Sequence, residues 1–505
     1  MTQNRKNAID ISGEEFRKIG YQLIDDIAVF IDSIPVRPVT PGTSTKELQK
    51  LLGDVKLPDG GEPPTALLSR ATGLLFNHSL LNGHPKFQGY ITSSAAPLGA
   101  LADLLVSAVN PNVGAQILSP IATAIEKQTV KWLTEFIGVS SSWAGLFVSG
   151  GNMANFTAFL AARTVKAAKA IREQGISNEQ MKMTVYCATN THAWVEKAAI
   201  LFGLGTNAIR WIETDPDHKM NNAVLEQTIT NDLQNGHRPL MVIGNAGDVS
   251  TGAVDDLKAI ATICKKFDLW FHIDGAYGIA AAVIPALKKM FDGIEDADSI
   301  AIDPHKWLYS PLEAGCTLVK NPDHLLETFS HQPKYYNFGG TEEYRAHNYY
   351  EYGFQNSRGF KALKVWLVLQ QVGRNGYIKM IGEDIQLAEF LFFLAGKHQE
   401  LEVVTQHLSI TTLRYIPPDK RPASHGDEAY LDKLNEALVN ELQQQGELFV
   451  SNAIVNNKYC LRSCIVNFRT GREDIVEMIE IIVKSGRKIH AEMKLQALKM
   501  TNRGV

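Results

Sequence analysis

The stretch SIAIDPHKWLY, residues 299–309, runs from an uninterrupted apolar segment straight into His305 and Lys306. Read as a strand over 299–303, it delivers Lys306 to the end of a buried element. Upstream, LWFHID (269–274) ends a similar run on Asp274. GLFVS (145–149), TVYCAT (184–189), AIRWI (208–212), PLMVIG (239–244) and GCTLV (315–319) read the same way, and helical stretches separate most of them. Strands that are apolar almost throughout and alternate with helices predict an α/β fold with a mainly parallel seven-stranded sheet covered on both faces. In such sheets ligands sit beyond the carboxyl ends of the strands.

Around this block the pattern changes. Apolar residues recur at helical spacing from Phe16 to Ser33 until Pro35, Pro38 and Pro41 break it. This amphipathic helix packs either on its own domain or across a second subunit. A linker-like segment follows LPDGGEPP (57–64), so residues 1–89 are expected to form an N-terminal helical segment and residues 90–375 a large domain. The stretch from His331 to Phe354 has neither helical nor strand period and is expected to be a mobile loop. The helix FKALKVWLVLQQV (360–372) restarts the packed structure. Residues 376–505 mix helices with two strand-like runs, VVTQHLSITTLRYI and YCLRSCIVNF, which predicts a small α+β domain.

Composition narrows the function classes. The 505 residues carry a formal charge of −4, with Lys and Arg scattered rather than gathered into a stripe, so nucleic acid is not an expected partner. Five cysteines without a CxxC pair fit reduced, buried thiols. The start, MTQNRKNAID, lacks the apolar core of a secretory signal, and no apolar run reaches membrane-span length, so the expected location is the cytoplasm, away from membranes.

Four features could carry chemistry. Lys306 follows a strand directly. Asp274 ends another in an apolar context, where a carboxylate is costly to bury without a cationic partner or donors. The turn VSGGNMAN, with Ser149, Gly150 and Gly151, joins a strand to a helix and offers N–H groups and a hydroxyl to an anion. It matches neither the Walker loop nor the GxGxxG fingerprint, which counts against a nucleotide and keeps a single phosphate open. His192, in THAWVEKAA, could lie flat on an aromatic ring or cap the following helix. Glu196, one turn on, would pair with it on a metal, but no third ligand is evident and no metal is expected. All four features lie at the carboxyl ends of predicted strands.

With these residues in place, the chain resembles the group II pyridoxal-phosphate-dependent decarboxylases, the family of aromatic-L-amino-acid, glutamate and histidine decarboxylases. The resemblance runs from FRKIGYQLIDDI to LRSCIVNFRT, and its most specific pieces are HIDGAYG and DPHKW. It implies fold type I, the aspartate-aminotransferase type, and pyridoxal 5'-phosphate as cofactor. By the same resemblance Lys306 holds the cofactor as a Schiff base, Asp274 pairs with the pyridine nitrogen, His192 stacks on the ring and Ala276 lies under its other face. Ser149, Gly150 and Gly151 then hold the phosphate, with His305 near it and near the substrate. Ser93 in GYITSS and Asn245 in IGNAGDV line the same region, although many relatives carry threonine there. Arg358, in NSRGFKALK, is assigned to the substrate side, and its spacing with Lys306 sets Tyr335 at the family's catalytic tyrosine, with Tyr336 beside it. Asp303 occupies a place where some members carry asparagine near the phosphate. A carboxylate there would repel the phosphate unless turned away or hydrogen-bonded, so Asp303 is not assigned to the cofactor. The loop of the family reaches a neighbouring subunit's site, which implies a homodimer.

The expected activity is decarboxylation of an L-amino acid to its amine and CO2, with an aromatic substrate preferred because no arginine is evidently placed to read a side-chain carboxylate. Glutamate or aspartate decarboxylation and oxidative aldehyde synthesis stay open within the same fold. A non-catalytic dimeric scaffold is the remote alternative.

Overall fold

The structure, a computed structural model, describes residues 7, 9–167, 171–176, 182–331, 340–341, 344–421 and 427–501. All seven predicted strands are present close to their expected limits: β1 Ala144–Val148, β2 Met183–Ala188, β3 Ile209–Ile212, β4 Arg238–Asn245, β5 Trp270–Asp274, β6 Ser299–Ile302 and β7 Gly315–Val319. They form one sheet in the order β1-β7-β6-β5-β4-β2-β3. Pairing is parallel from β6 across to β3, whereas β7 runs antiparallel to both β6 and β1. Because β7 opposes both neighbours, β1 points the same way as the parallel set, and six carboxyl ends share one edge. Every residue of β2, β6 and β7 is buried, as a sheet covered on both faces requires.

A second sheet contains β8 Leu401–His407, β9 Ile410–Tyr415, β10 Phe449–Val455 and β11 Lys458–Cys464. Its order is β10-β11-β9-β8, with the short strand Phe87–Gln88 added in parallel outside β10. The run predicted as one strand over 403–416 is a hairpin, turned at Leu408 (φ 47). The helix Ala362–Lys397 joins the two sheets, interrupted by non-helical backbone at Gly373 (φ 65). Its first half contributes Leu363, Val365 and Val368 to the core of the large sheet, and its second half contributes Ala388, Leu391 and Ala395 to that of the small one.

The N-terminal helix spans Gly13–Ser33, capped where the Ser12 side chain accepts from the Glu15 N–H. It meets the helix Pro64–His78 through stacked Phe30 and Phe76, centroids 4.2 Å apart. Among the described residues, no helix is long and apolar enough to cross a membrane. The segment expected as a mobile loop is corrected in its second half. Residues 332–339 and 342–343 lie outside the described residues, but Gly340–Thr341 pairs with Tyr344–Arg345. Beyond this ribbon Tyr349 is fully buried between the His347 ring and the Arg358 guanidinium, because its aromatic surface completes the core.

The turn that carries Lys306 is tied to the long helix by one carboxylate. Asp384 accepts from the Trp307 indole at 2.8 Å and from the Tyr309 hydroxyl. Burial pushes its carboxyl up to about 7. A carboxyl raised above its ordinary value of about 3.9 contributes stability that is whole below that pH and lost as pH rises through the folded value. Asp384→Asn keeps an acceptor for both donors and removes the ionisation. Its stability relative to wild type should therefore rise by on the order of 3 kcal/mol between about pH 4 and about pH 7, read from denaturant midpoints. A difference that stays constant with pH would contradict this.

Candidate active site

At the shared edge of the six strands lies a cleft of about 340 Å³. Ser149, Gly150 and Gly151 line it from the end of β1, His192 from the end of β2, and Asn245, Asp274 and Ala276 from the ends of β4 and β5. His305 and Lys306 close it from the turn after β6. Nine residues singled out from distant parts of the sequence are thus brought around one space.

Asp274 is the last residue of β5, opposite Ala301 on one side and Asn245 on the other. Its two oxygens are held separately: Oδ2 accepts from the Trp194 indole at 2.7 Å and Oδ1 from the Ala276 N–H at 3.2 Å. Trp194 is 1 % exposed and meets the His272 ring edge-on at 5.9 Å. His272 is clamped in turn between Ser299 Oγ and Asn155 Oδ1, each at 2.8 Å, and burial lowers its pKa to about 4, so it is neutral. The orientation of the site carboxylate is therefore set by a buried polar chain reaching from β5 through β6 to the helix Gly151–Lys166.

The His192 ring stands in the open cleft, with enough packing around it to lower its pKa. Its Nδ1 accepts from the Trp194 N–H at 3.2 Å, capping the helix Trp194–Leu201 and leaving the ring proton on Nε2. Asn245 Nδ2 donates to Thr191 Oγ1 at 3.1 Å, and the Asn245 N–H donates to Asp255, whose carboxyl burial pushes up to about 7.

The glycine turn opens the helix Gly151–Lys166, whose first-turn N–H groups have no intrahelical acceptors and face an anion favourably. Gly150 has φ 144, a backbone closed to L side chains. A Cβ on Gly151 would lie 2.5 Å from Asp303 Oδ2, so the turn sits directly against that carboxylate. Lys306 Nζ is 3.2 Å from the same oxygen. His305 Nδ1 lies 2.8 Å from the Ala314 carbonyl, and burial lowers its pKa.

Two assignments are corrected. Arg358 does not reach the cleft. It is buried, with Nη2 donating to Glu126 Oε1 at 2.5 Å and to the Phe147 carbonyl at 2.7 Å, and Nη1 donating to the Val113 carbonyl at 2.9 Å. Glu126 also accepts from the Phe147 N–H, so the pair locks β1 to the helix Pro120–Ile137. Ser93 is buried behind the site, its hydroxyl donating to the His305 carbonyl at 3.0 Å, and Ile91 lines the cleft instead. Tyr335 and Tyr336 lie outside the described residues.

Trp194, Asp303 and Arg462 were not assigned from the sequence. A tryptophan between His192 and Glu196 at a strand-to-helix junction was the available signal for the first, since a buried indole N–H needs an acceptor. Arg462, 4 % exposed on β11, donates to the carbonyl of Val249, a cleft residue, and so links the small sheet to the site.

Residues 46–414 match the family model described as the pyridoxal-dependent decarboxylase conserved domain. The aromatic-L-amino-acid decarboxylase of Bacillus atrophaeus is 34% identical over 94% of this chain and 96% of its own length. A phenylacetaldehyde synthase of a Rosa hybrid cultivar is 27% identical over 93% of both. The crystal structure of Oryza sativa TDC with PLP and tryptamine superposes with a TM-score of 0.88, covering 96% of this chain and 100% of that one. At its 23% identity that likeness is one of fold.

If Arg358 is a structural cation, Arg358→Ala leaves Glu126 buried and unpaired. The variant should lose about 3–5 kcal/mol, measured as a lowered urea midpoint. An unchanged midpoint would contradict this structural role.

Proposed function

The chain belongs to the pyridoxal-dependent decarboxylase family, and from that premise we propose that this PLP-dependent amino-acid decarboxylase acts on an aromatic L-amino acid, with Lys306 as covalent anchor of the cofactor and Asp274 as partner of its ring nitrogen. One observation carries the assignment: an amine, a carboxylate held by two donors and a helix-opening glycine turn face a single cleft from three strand ends. The donor set fits pyridoxal 5'-phosphate, which presents an aldehyde, a basic ring nitrogen and a phosphate. Pyridoxal phosphate, when bound, supplies a conjugated sink for the electron pair released with CO2.

The chain's own residues do the rest. Asp274 keeps a proton on the ring nitrogen by charge, and Trp194 and the Ala276 N–H prevent the carboxylate from turning away. His192, lowered in pKa and capped through Nδ1, offers a ring face without adding a competing positive charge. Ala276 offers a methyl on the opposite side, and Ser149 with the first-turn N–H groups binds the phosphate. Asn245 and His305 border the substrate end. Tyr335, assigned by the family resemblance with its spacing from Lys306, would return a proton to the α-carbon.

Preference for an aromatic side chain rests on charge as well as on similarity to the Bacillus enzyme. Among the described residues lining the cleft there is no arginine, while Asp248, Asp274 and Asp303 are all present. A second carboxylate on the substrate would meet repulsion rather than a partner. The rose synthase keeps oxidative aldehyde formation as a second reading, distinguished by aldehyde and hydrogen peroxide in place of amine.

We also infer a homodimer. Exposed apolar side chains cluster on the N-terminal helix (Phe16, Tyr21, Val29) and on the helix Pro97–Val109 (Leu101, Leu105, Val109), a pattern expected of a covered surface. Sedimentation equilibrium should give twice the chain mass at micromolar concentration, and a monomer there would contradict the inference.

The activity test is a panel of L-amino acids incubated with the holoenzyme, following CO2 and amine. Tryptophan, tyrosine or phenylalanine should yield both in equal amounts, glutamate and aspartate neither, and Lys306→Ala should abolish turnover. Undiminished amine output from Lys306→Ala would reject the assignment.

A further inference from the structure

We propose that Asp303 makes capture of the cofactor proton-linked: the phosphate enters the cleft together with one proton from solvent, which it shares with the Asp303 carboxylate. The proposal rests on the reading of the cleft as a pyridoxal-phosphate site and specifies how this chain holds the phosphate end.

Asp303 is 2 % exposed, yet its carboxylate is not turned away from the cleft and is only half satisfied. Oδ2 faces Lys306 Nζ at 3.2 Å and His305 Nε2 at 3.8 Å, while Oδ1 is buried without a hydrogen-bond partner among the described residues. The contact with Gly151 is close enough that a Cβ there would stand 2.5 Å from Oδ2. The carboxylate therefore occupies the wall of the anion-binding turn itself. A buried acceptor with no donor is costly, and the helix N-terminus that would draw the phosphate also holds this carboxylate close, so the two anions compete for one place.

The groups facing Asp303 do not neutralise it once the cofactor is in place. His305 and Lys306 come from its own turn, His192 from the junction after β2, Cys316 from β7, and Asp274 from the end of β5. Burial lowers the pKa of both histidines and raises that of the thiol, so all three favour their neutral forms. Asp274 is another anion. Among the described residues Lys306 is the cation in contact with Asp303, and a single ammonium cannot balance both a carboxylate and a phosphate dianion. A phosphate ester carrying about two negative charges would then adjoin a buried carboxylate. Like charges in one site raise the affinity of the pair for a proton, which belongs to the pair rather than to either member.

The test compares binding of pyridoxal phosphate and of pyridoxal to cofactor-depleted full-length protein, wild type and Asp303→Asn, by absorbance titration from about pH 6.5 to about pH 8.5. Because linkage of one proton changes affinity about tenfold per pH unit, wild-type Kd for pyridoxal phosphate should rise with pH more steeply than that of Asp303→Asn by up to this factor. Pyridoxal, lacking phosphate, should give the same slope in both proteins. Calorimetry of the wild type in buffers of different ionisation enthalpy gives a second reading that needs no variant. It should record up to one more proton taken up with pyridoxal phosphate than with pyridoxal. Tight binding of pyridoxal phosphate with parallel slopes and equal proton counts would overturn the proposal alone. Failure of both proteins to retain pyridoxal phosphate would overturn it together with the site reading.

Discussion

Parallel register along three neighbouring strands is the constraint on which the site depends. Asn245 stands opposite Asp274, and Asp274 opposite Ala301, so the residues leaving β4, β5 and β6 arrive at one edge in fixed lateral order. Because side chains alternate with a period of two, a slip of one residue in any strand would turn Asp274 to the wrong face or carry the Lys306 turn out of line. The fully buried strands β2, β6 and β7 make such a slip costly, since their apolar side chains fill both faces. Catalytic geometry is thus a by-product of core packing.

Polar groups beneath the edge convert that placement into orientation. The chain from Asn155 through His272 to Ser299 seats Trp194, whose indole fixes one oxygen of Asp274. On the other side of the cleft, Asp384 draws Trp307 and Tyr309 onto the long helix and so steadies the turn on which Lys306 rides. The small sheet contributes through Arg462, which reaches the Val249 carbonyl, and through Tyr277, whose hydroxyl lies beside Ser409 Oγ. Both cores therefore bear on a single site.

Much of this was legible in the amino-acid order because it is encoded locally. Seven short apolar runs, a serine followed by two glycines at a strand end, and Lys306 just past a strand are patterns within a few residues of each other. The strand β10, by contrast, was not anticipated: Ser451 and Asn452 interrupt its apolar run, and its alternation is intelligible only beside β11. The hairpin between β8 and β9 turns at Leu408 without a glycine or proline to mark it. Arg358 and Ser93 were misassigned because sequence spacing says nothing of which way a side chain faces, and both are engaged behind the cleft wall. The partnership of Trp194 and Asp274 joins residues 80 positions apart and depends on the tertiary fold alone.

The central claim is that Lys306 is the amine that carries the cofactor, and borohydride reduction of the holoenzyme tests it most directly. Proteolysis and mass spectrometry of the reduced protein should find the pyridoxyl mass on the peptide containing DPHKW, at Lys306, with the visible absorption of the cofactor lost in step. A label on Lys361 or Lys364 across the turn, or no label on a protein that still turns over substrate, would contradict the account.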